Sequence, residues 1–457
     1  MYVCKGILKY GRYKENRRPG NGREAIIRLL SDDSHRLCRW HCHIQRHLQM
    51  ASRAGWFRGP SLLLALLLLG TVLGLYKLSR SPLVNQYGVL QDYLESNRPE
   101  TESLATGTRS ILLWSEFFGD PRWSLPGDTL GTQDFRDELK CPVYQCELTN
   151  NHDFLPSLDM YDAIVFHVAE PFPFLESVPS RRRPQQTYVF ATMESPGETK
   201  HQLSNEQNFY NLTMTYRLDS DIVWPYDHFI DKETQAIVAP KRQPNWRKPP
   251  ISGWNDTQVW NLWPGKTKMV TWFVSHCPTL SKREDLAKAL QAYIEVDIYG
   301  KCGPLSCKRG DPRCEEMLDT DYKFYLAFEN SLCTDYVTEK LFGVLHRNII
   351  PIVFGGVDYA RFLPPHSYID ANQFDTVELL AAHLEFVASN VEEYMSYFWW
   401  REYYELATFS PFCELCEHLH RPGGRHRMQV YNDIEAWWFN SCRFKTHIQF
   451  AASQTRD

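Results

Sequence analysis

Short apolar segments alternate with amphipathic stretches between residues 269 and 354. MVTWFV at Met269–Val274, FYLAF at Phe324–Phe328 and IIPIVF at Ile349–Phe354 have the length and uniform apolarity of strands that are buried on both faces. Because strands and helices in alternation are typical of parallel sheets, the sequence predicts an α/β fold. Ligands of such sheets bind at the carboxyl ends of the strands.

The stretches between these strands carry the marks of helices that pack on a sheet. The helix expected over Ser281–Tyr293 opens with a capping box, in which Ser281 is the N-cap and Glu284 is the third helical residue. A short strand is expected next, at Val296–Tyr299. The helix expected over Asp335–His346 has an apolar face made of Val337, Leu341, Val344 and Leu345.

A second α/β segment precedes this one. Apolar runs at Ile111–Trp114, Tyr161–Val168 and Thr187–Thr192 predict further buried strands. Residues 231–268 are rich in Pro, Lys and Trp without periodicity, which indicates a linker between domains. We therefore expect two Rossmann-like domains, at 109–230 and 269–410, and a C-terminal segment at 411–457.

One apolar run near the N-terminus predicts a membrane anchor. SLLLALLLLGTVLGL at Ser61–Leu75, together with flanking aromatic residues, is long enough to span a thin bilayer as a helix. Lys and Arg outnumber Asp and Glu in the preceding residues, and positive charge keeps that side cytoplasmic. We expect a cytoplasmic tail at 1–58, the anchor at 59–76, a stem at 77–108 and a lumenal remainder. The rest of the chain would then meet an oxidising compartment.

The cysteines and sequons agree with this topology. Asn211 and Asn255 stand in sequons that are open to glycosylation in a secretory lumen. An even number of cysteines follows residue 108, which predicts disulfides but assigns no pairs. They are Cys141, Cys146, Cys277, Cys302, Cys307, Cys314, Cys333, Cys413, Cys416 and Cys442.

Two Rossmann-like domains behind a type II anchor predict a GT-B glycosyltransferase, with its active site between the domains. The net charge of −5 gives no indication of a nucleic-acid partner. Partners expected instead are the membrane, through one N-terminal helix, and the two substrates of a transferase. The sequence leaves open whether two copies form a homodimer.

FYLAFENSLCTDYVTEKLF at Phe324–Phe342 resembles the signature of the α1,3-fucosyltransferase family, glycosyltransferase family 10. The cysteine in FENSLC is similar to that of core-type invertebrate members, which act on the innermost GlcNAc of N-glycans. The resemblance covers roughly 110–420 and leaves out the tail and the stem. Its other parts are Thr192–Pro196, Asn211–Ile222, Trp272–Arg283, Gly356–Tyr368 and the CxxC at Cys413–Cys416.

The resemblance implies an inverting enzyme of the Golgi membrane that uses GDP-fucose as its co-substrate. It assigns the catalytic base to Glu194 and diphosphate binding to Arg283 and Lys340, which suits their positive charge. Further donor contacts are expected at Asn330, Tyr336 and Glu339, and weaker candidates for acceptor contacts at His167 and Glu170. The resemblance also pairs Cys413 and Cys416 with cysteines of the N-terminal domain, of which Cys141 and Cys146 are the nearest matches.

No metal is expected to be required, although Mn²⁺ or Mg²⁺ can stimulate such an enzyme by binding released GDP. Two DxD patterns, Asp219–Asp221 and Asp319–Asp321, are the alternative, since a metal-dependent GT-A transferase holds its metal on such a pair. Neither pattern follows an isolated apolar strand, and the second precedes one. For the CxxC, a structural zinc is the alternative to disulfides.

Three alternatives of function stay open. The acceptor is either the innermost GlcNAc of N-glycans or the N-acetyllactosamine of their antennae. A protein of another class, a lumenal type II protein that binds glycans without catalysis, would have lost the base or the diphosphate cations. Glu194, Arg283, Glu339 and Lys340 are all present, which favours an enzyme.

Overall fold

The computed structural model describes residues 107–171, 182–250, 256–308, 310–421, 430–442 and 448, all of them within one unit of the chain, Glu102–Asp457. The expected tail and anchor, nearly all of the stem, and the sequon at Asn255 lie outside these ranges. Within them, no helix has the length and apolarity needed to cross a membrane.

The first half of the described chain forms a seven-stranded sheet in the order β2-β3-β1-β4-β5-β6-β7. All of its strand pairs are parallel except β2 with β3. Every residue of β1, β4 and β5 is buried, as expected for a sheet covered on both faces. The strands are β1 Arg109–Leu113, β2 Thr129–Leu130, β3 Cys146–Thr149, β4 Ala163–His167, β5 Thr187–Thr192, β6 Leu212–Thr215 and β7 Ile222–Val223.

The second half forms a five-stranded sheet in the order β11-β10-β12-β13-β14, and all of its pairs are parallel. Each strand predicted here is found within two residues of its expected bounds, and the prediction of an α/β fold is confirmed. The strands are β10 Lys268–Phe273, β11 Val296–Tyr299, β12 Tyr322–Phe328, β13 Ile350–Phe354 and β14 Ile369–Asp370.

The segment predicted as a linker, 231–268, contains secondary structure that the sequence did not indicate. A small antiparallel sheet in the order β15-β8-β9 occupies its start, with β8 at His228–Asp231, β9 at Ile237–Ala239 and β15 at Tyr404–Ala407. A helix forms near its end. The strands are too short to show a period, and β8 is paired by β15, which lies far along the chain. The composition of the segment therefore gave no indication of these strands.

The helices connect and cover the strands. They are α1 Thr132–Asp137, α2 Thr257–Leu262, α3 Arg283–Leu290, α4 Pro312–Thr320, α5 Glu339–Leu345, α6 Val377–Ser389, α7 Val391–Ser396, α8 Pro411–His420 and α9 Ile434–Phe439.

Two helix starts differ from prediction. The N-cap of α3 is Lys282, with a φ of 54° and no side-chain cap, so the expected capping box is wrong. The hydroxyl of Ser281 instead donates to the carbonyl oxygen of Glu329 at 2.7 Å. Helix α5 begins at Glu339, with Thr338 as its N-cap, rather than at Asp335. Asp335 has a φ of 62°, which is outside helical backbone, and its carboxylate accepts from the backbone N–H of Leu218 at 3.0 Å.

Helices from the C-terminal segment cover the N-terminal sheet. Phe412, Leu415 and Leu419 of α8 pack into the same cluster as Ile111 and Leu113 of β1. Ile434 and Trp438 of α9 pack into a second cluster, which contains Leu112, Ile164 and Phe166. Since side chains alternate along a strand, these two clusters lie on opposite faces of the sheet. The sheet is therefore completed by the far end of the chain.

Two disulfides fasten this closure, and they join the four cysteines that the resemblance grouped together. Cys141 bonds to Cys413 and Cys146 to Cys416. Both thiols of the CxxC are thus occupied, which leaves a structural zinc without its ligands. The remaining pairs, which the sequence left open, are Cys277–Cys302, Cys307–Cys314 and Cys333–Cys442.

We expect the packing of α8 to contribute strongly to stability. Leu415→Ala should lower the free energy of unfolding by about 2–5 kcal/mol, because it opens a cavity under the sheet at a fully buried position. The matched control is Leu379→Ala on α6, where the side chain is 52% exposed and the loss should be below about 1 kcal/mol. Urea unfolding measures both variants. Equal losses would contradict this packing.

Candidate active site

Glu194 lies in the loop that leaves the carboxyl end of β5. Its backbone N–H donates to the hydroxyl of Thr192 at 3.1 Å, which turns the chain directly after the strand. A short 3₁₀ turn follows at Pro196–Glu198. A Cβ added to Gly197 would lie 2.6 Å from Leu280 and 3.0 Å from the hydroxyl of Ser331. Glycine therefore allows this loop, called the base loop (residues 193–199), to approach the other half of the molecule.

A second loop, residues 329–338, leaves the carboxyl end of β12 and meets the base loop. The hydroxyl of Ser195 donates to that of Ser331 at 2.8 Å, and both residues are buried. The side-chain amide of Asn330 donates to a carboxylate oxygen of Glu198 at 3.2 Å. We call residues 329–338 the motif loop, because it contains most of the FENSLCTDYVTEK sequence. The carboxyl edges of the two sheets thus face each other across these two loops.

Two of the predicted site residues, Glu194 and Tyr336, are in direct contact. The Tyr336 hydroxyl donates to Oε2 of Glu194 at 3.1 Å. The Tyr336 ring is fully buried and lies 4.9 Å from the ring of Tyr216. The expected donor contact of Tyr336 stays a prediction, and the structure adds a role that the sequence did not indicate. Tyr336 holds the carboxylate that is the candidate base.

The surroundings of Glu194 raise the pKa of its carboxyl. Burial raises the pKa of its carboxyl above the usual range, while the charge of Lys340 and the hydrogen bond from Tyr336 act in the opposite direction. A glutamate with a raised pKa accepts a proton from a hydroxyl more readily than an exposed one. On acidification, Glu194 is therefore protonated at a higher pH than an exposed glutamate would be.

Lys340 supplies positive charge beside this carboxylate. Its ammonium donates to the Thr338 hydroxyl at 2.9 Å and lies 3.4 Å from Oε2 of Glu329 and 3.2 Å from Oε1 of Glu339. Burial alone would lower the pKa of Lys340, but the charges of Glu329 and Glu339 outweigh it and raise the pKa. Lys340 therefore stays a cation. The side chain of Glu339 is 65% exposed and so open to a ligand.

Glu329 is an internal support of the motif loop. It is buried, and its carboxylate accepts from the Thr338 backbone N–H at 2.9 Å and from the Thr338 hydroxyl at the same distance. These bonds fix the start of α5 and, with it, the position of Lys340.

The structure places Arg283 behind the site. Its side chain is buried, and its guanidinium donates to the carbonyl oxygens of Phe328 at 2.7 Å and His276 at 2.9 Å. These contacts connect the loop after β10 with the end of β12, two adjacent strands of the C-terminal sheet. The direct contact of Arg283 with a diphosphate stays a prediction, and its described contacts are structural.

His167 and Glu170, the weaker acceptor candidates, lie at the end of β4. His167 is buried under the rings of Phe117, Phe118 and Trp123, and its Nδ1 lies 3.0 Å from the Glu116 carbonyl oxygen. Burial lowers the pKa of this imidazole to about 4, so it is neutral near pH 7. Glu170 is exposed. Both stay candidates for acceptor contacts.

The acidic pairs of the two DxD patterns have protein partners. Asp219 binds Arg217 at 2.6 Å, and Asp221 accepts from the Tyr431 hydroxyl at 2.9 Å. Asp319 pairs with Arg347 at 3.2 Å. These carboxylates stabilise loops and helix ends.

Asn211, the sequon asparagine within the described residues, is half-buried. Its side-chain oxygen accepts from the Tyr188 backbone N–H at 2.8 Å. Its glycosylation stays a prediction.

Sequence reasoning missed several residues that shape the base loop. The Tyr226 hydroxyl donates to the Met193 carbonyl oxygen at 2.9 Å, and the Trp438 indole N–H donates to the Thr199 hydroxyl at 2.9 Å. Tyr216 lay inside the Asn211–Ile222 stretch, but no periodicity or motif spacing pointed from it to Tyr336. Trp438 lay outside every motif.

Family models match both halves of this arrangement. The model "Fucosyltransferase, N-terminal" covers residues 106–227, and "Glycosyltransferase family 10 (fucosyltransferase) C-term" covers 263–437. "Alpha-(1,3)-fucosyltransferase C" of Drosophila melanogaster is 60% identical over 88% of this chain and 95% of its own. The chain belongs to the α1,3-fucosyltransferases of glycosyltransferase family 10.

Two other relatives are more distant from this fucosyltransferase. "Glycoprotein 3-alpha-L-fucosyltransferase A" of Drosophila melanogaster is 37% identical over 66% of the chain and 56% of its own length. A human "4-galactosyl-N-acetylglucosaminide 3-alpha-L-fucosyltransferase" is 34% identical over 74% of the chain and 82% of its own. The crystal structure of an α1,3-fucosyltransferase overlaps 66% of this chain and 84% of its own, at 16% identity and a TM-score of 0.39, too loosely for a comparison of sites.

The hydrogen bond from Tyr336 should be visible in the pH dependence of this fucosyltransferase. Tyr336→Phe removes a contact that lowers the pKa of Glu194, so the pKa should rise. A base must be deprotonated, and activity should therefore be lost at higher pH on acidification than in the wild type. The measurement is kcat/KM against pH.

At the alkaline plateau, Tyr336→Phe should cost less than about tenfold in rate, which corresponds to one hydrogen bond. The control is Tyr293→Phe, at a position that is 42% exposed. If kcat/KM of Tyr336→Phe falls at the same pH as that of the wild type on acidification, this hydroxyl does not act on the candidate base.

Proposed function

We propose that this enzyme transfers fucose from GDP-β-L-fucose to the 3-hydroxyl of a GlcNAc residue in a glycoprotein glycan. The fold we propose is GT-B, with the donor on the C-terminal sheet and the acceptor on the N-terminal sheet. The observation that carries the proposal is the contact of Glu194 with Tyr336 across the two sheets, beside the cation Lys340. It brings a base and a positive charge to the place where both carboxyl edges meet.

The proposed reaction is a single inverting displacement. Glu194 takes the proton of the acceptor hydroxyl, whose oxygen attacks the anomeric carbon of fucose from the face opposite GDP. The bond from that carbon to the diphosphate oxygen breaks, and its electron pair leaves with GDP. The β-linked donor becomes an α1,3-linked product, and the proton stays on Glu194 until solvent removes it.

Positive charge must offset the charge that develops on the leaving diphosphate. Lys340 is the cation of the site that remains partly exposed, with 23% of its side chain accessible. Asn330 and Glu339 are proposed to bind donor hydroxyls or phosphate oxygens through hydrogen bonds. Arg283 acts on the donor through the loops it holds, and directly if its guanidinium is released from them. No metal is required in this scheme, and Mn²⁺ or Mg²⁺ would stimulate by binding released GDP.

The acceptor we propose is the innermost GlcNAc of N-glycans, with antennal N-acetyllactosamine as the alternative. Relatives of similar identity carry names of both kinds, one acting on glycoproteins and one on 4-galactosyl-N-acetylglucosaminides. Cys333, in the position similar to core-type members, favours the first. To decide between them, the enzyme is given GDP-fucose and a panel of defined N-glycans, and the position of the added fucose is found by mass spectrometry. Fucose on antennal GlcNAc only would overturn the core proposal.

The location we propose is the Golgi membrane, with the tail cytoplasmic and the catalytic part lumenal. The apolar run at Ser61–Leu75 behind a basic segment supports the orientation. All ten cysteines after residue 108 lie in five disulfides, which is typical of an oxidising compartment.

The variant Glu194→Gln tests whether the protein is an enzyme or only binds glycans. We expect transfer to fall by roughly 10²–10⁴-fold, mainly in kcat, because a positioned base is worth that much. Glu378→Gln, at an exposed position on α6, should transfer at the wild-type rate. GDP-fucose affinity, measured by calorimetry, should be retained in both. A Glu194→Gln variant that transfers at the wild-type rate would remove the base assignment.

Lys340→Ala tests the cation of the site. Affinity for GDP should fall by roughly ten- to a hundredfold, since a charge-assisted contact with phosphate is worth about 1.5–3 kcal/mol. The control is Lys288→Ala, an exposed lysine on α3. Activity should also persist in EDTA. Complete loss in EDTA that Mn²⁺ restores, with normal GDP affinity in Lys340→Ala, would favour a metal-dependent mechanism.

A further inference from the structure

The last described helix, α9, contacts the base loop through a partly buried hydrogen-bond relay. The indole N–H of Trp438 donates to the Thr199 hydroxyl at 2.9 Å, and that hydroxyl donates to the carbonyl oxygen of Ser195 at 3.1 Å. Trp438 is fully buried. Ser195 is bonded covalently to Glu194, so the relay ends one residue from the base.

The residues that follow α9 contact the motif loop directly. The backbone N–H of Thr334 donates to the Ser441 carbonyl oxygen at 2.8 Å, and Cys333 forms a disulfide with Cys442. The Ser441 hydroxyl donates back to the Trp438 carbonyl oxygen at 2.7 Å, which joins this attachment to the relay. Cys333 and Thr334 lie just before Tyr336, the partner of the base.

The ring of Tyr216 fills the space between these attachments. Its centroid lies 4.9 Å from the Tyr336 ring and 5.7 Å from the Trp438 ring, and all three side chains are fully buried. A shift of Trp438 would therefore move the support of Tyr336 together with the support of the base loop. One short segment, 438–442, thus holds both ends of the hydrogen bond between Glu194 and Tyr336.

This segment falls wholly beyond the C-terminal family match. The C-terminal family model ends at residue 437, whereas Trp438, Ser441 and Cys442 come after it. The attachment therefore belongs to a part of the chain to which the match assigns nothing.

We propose that Trp438 and the Cys333–Cys442 disulfide are positioning residues for catalysis, which set the base on one sheet against the motif loop on the other. The proposal rests on the proposed function of Glu194 as the base. Neither residue touches a substrate in this scheme. Their effect is on geometry, and a misplacement of about 1 Å at a reacting group costs on the order of a hundredfold in rate.

The relay is tested by Trp438→Phe, Thr199→Val and the two combined. Each single change breaks the same hydrogen bond while keeping most of the side-chain volume, so kcat should fall by on the order of tenfold, with KM for GDP-fucose within about twofold of wild type. The double variant should lose little more than Thr199→Val alone, which already removes both the bond from Trp438 and the bond to Ser195. Thr199→Ser keeps the hydroxyl, so its kcat should stay near the wild-type value.

The disulfide is tested by Cys333→Ser with Cys442→Ser, against Cys307→Ser with Cys314→Ser as the matched control. The first pair should lower kcat by on the order of tenfold, and the control should stay within about twofold of wild type. If the first pair does not fold, the relay variants decide. Wild-type kcat in Trp438→Phe, additive losses in the relay pair, or equal losses in Thr199→Ser and Thr199→Val would each overturn the proposal.

Different experimental results would refute the proposed function and this inference. A wild-type enzyme that transfers no fucose from GDP-fucose, or a fully active Glu194→Gln variant, refutes the function. An active wild type and an inactive Glu194→Gln variant, together with a fully active Trp438→Phe variant, refute the positioning role alone.

Discussion

The hydrogen bond from Tyr336 to Glu194 joins the two sheets at the point where their carboxyl edges meet. It places a carboxylate in a partly desolvated position, where its pKa is raised, and it brings Lys340 close enough for its charge to act on the same group. The rest of the site is arranged around this contact. Glu329 fixes the start of α5, Arg283 fixes the strand ends behind it, and Gly197 lets the loops approach. Each of these residues helps to hold the candidate base Glu194 and the cation Lys340 in place.

In our proposal, the placement of Glu194 also depends on the C-terminal segment. Helices α8 and α9 cover opposite faces of the N-terminal sheet, and two disulfides fasten α8 to it. Trp438 then extends this closure to the base loop. The C-terminal segment therefore completes a core and contacts the base loop at the same time. Destabilising it should affect stability and turnover together, whereas the relay variants separate the two effects.

The strands were predictable because parallel strands buried on both faces are continuous apolar runs, as Thr187–Thr192 shows. The start of α5 was not, because Asp335 adopts left-handed backbone that its contact with Leu218, 117 residues away, stabilises. Glu194 and Lys340 came from a family resemblance rather than from periodicity. The partner of Glu194 lies 142 residues along the chain, and no local pattern encodes such a pair. The strand β8 was hidden for the same reason, since it pairs with the distant β15, and β9 is too short to show a period.

The central claim is that fucose transfer takes place between the base loop and the motif loop, with Glu194 as the base. A crystal structure of the enzyme with GDP and an N-glycan acceptor tests it most directly. We predict the diphosphate in contact with the Lys340 ammonium, and the acceptor 3-hydroxyl within roughly 2.6–3.2 Å of a Glu194 carboxylate oxygen. GDP bound away from the motif loop, or an acceptor hydroxyl whose nearest carboxylate is Glu170 or Glu198, would contradict the account.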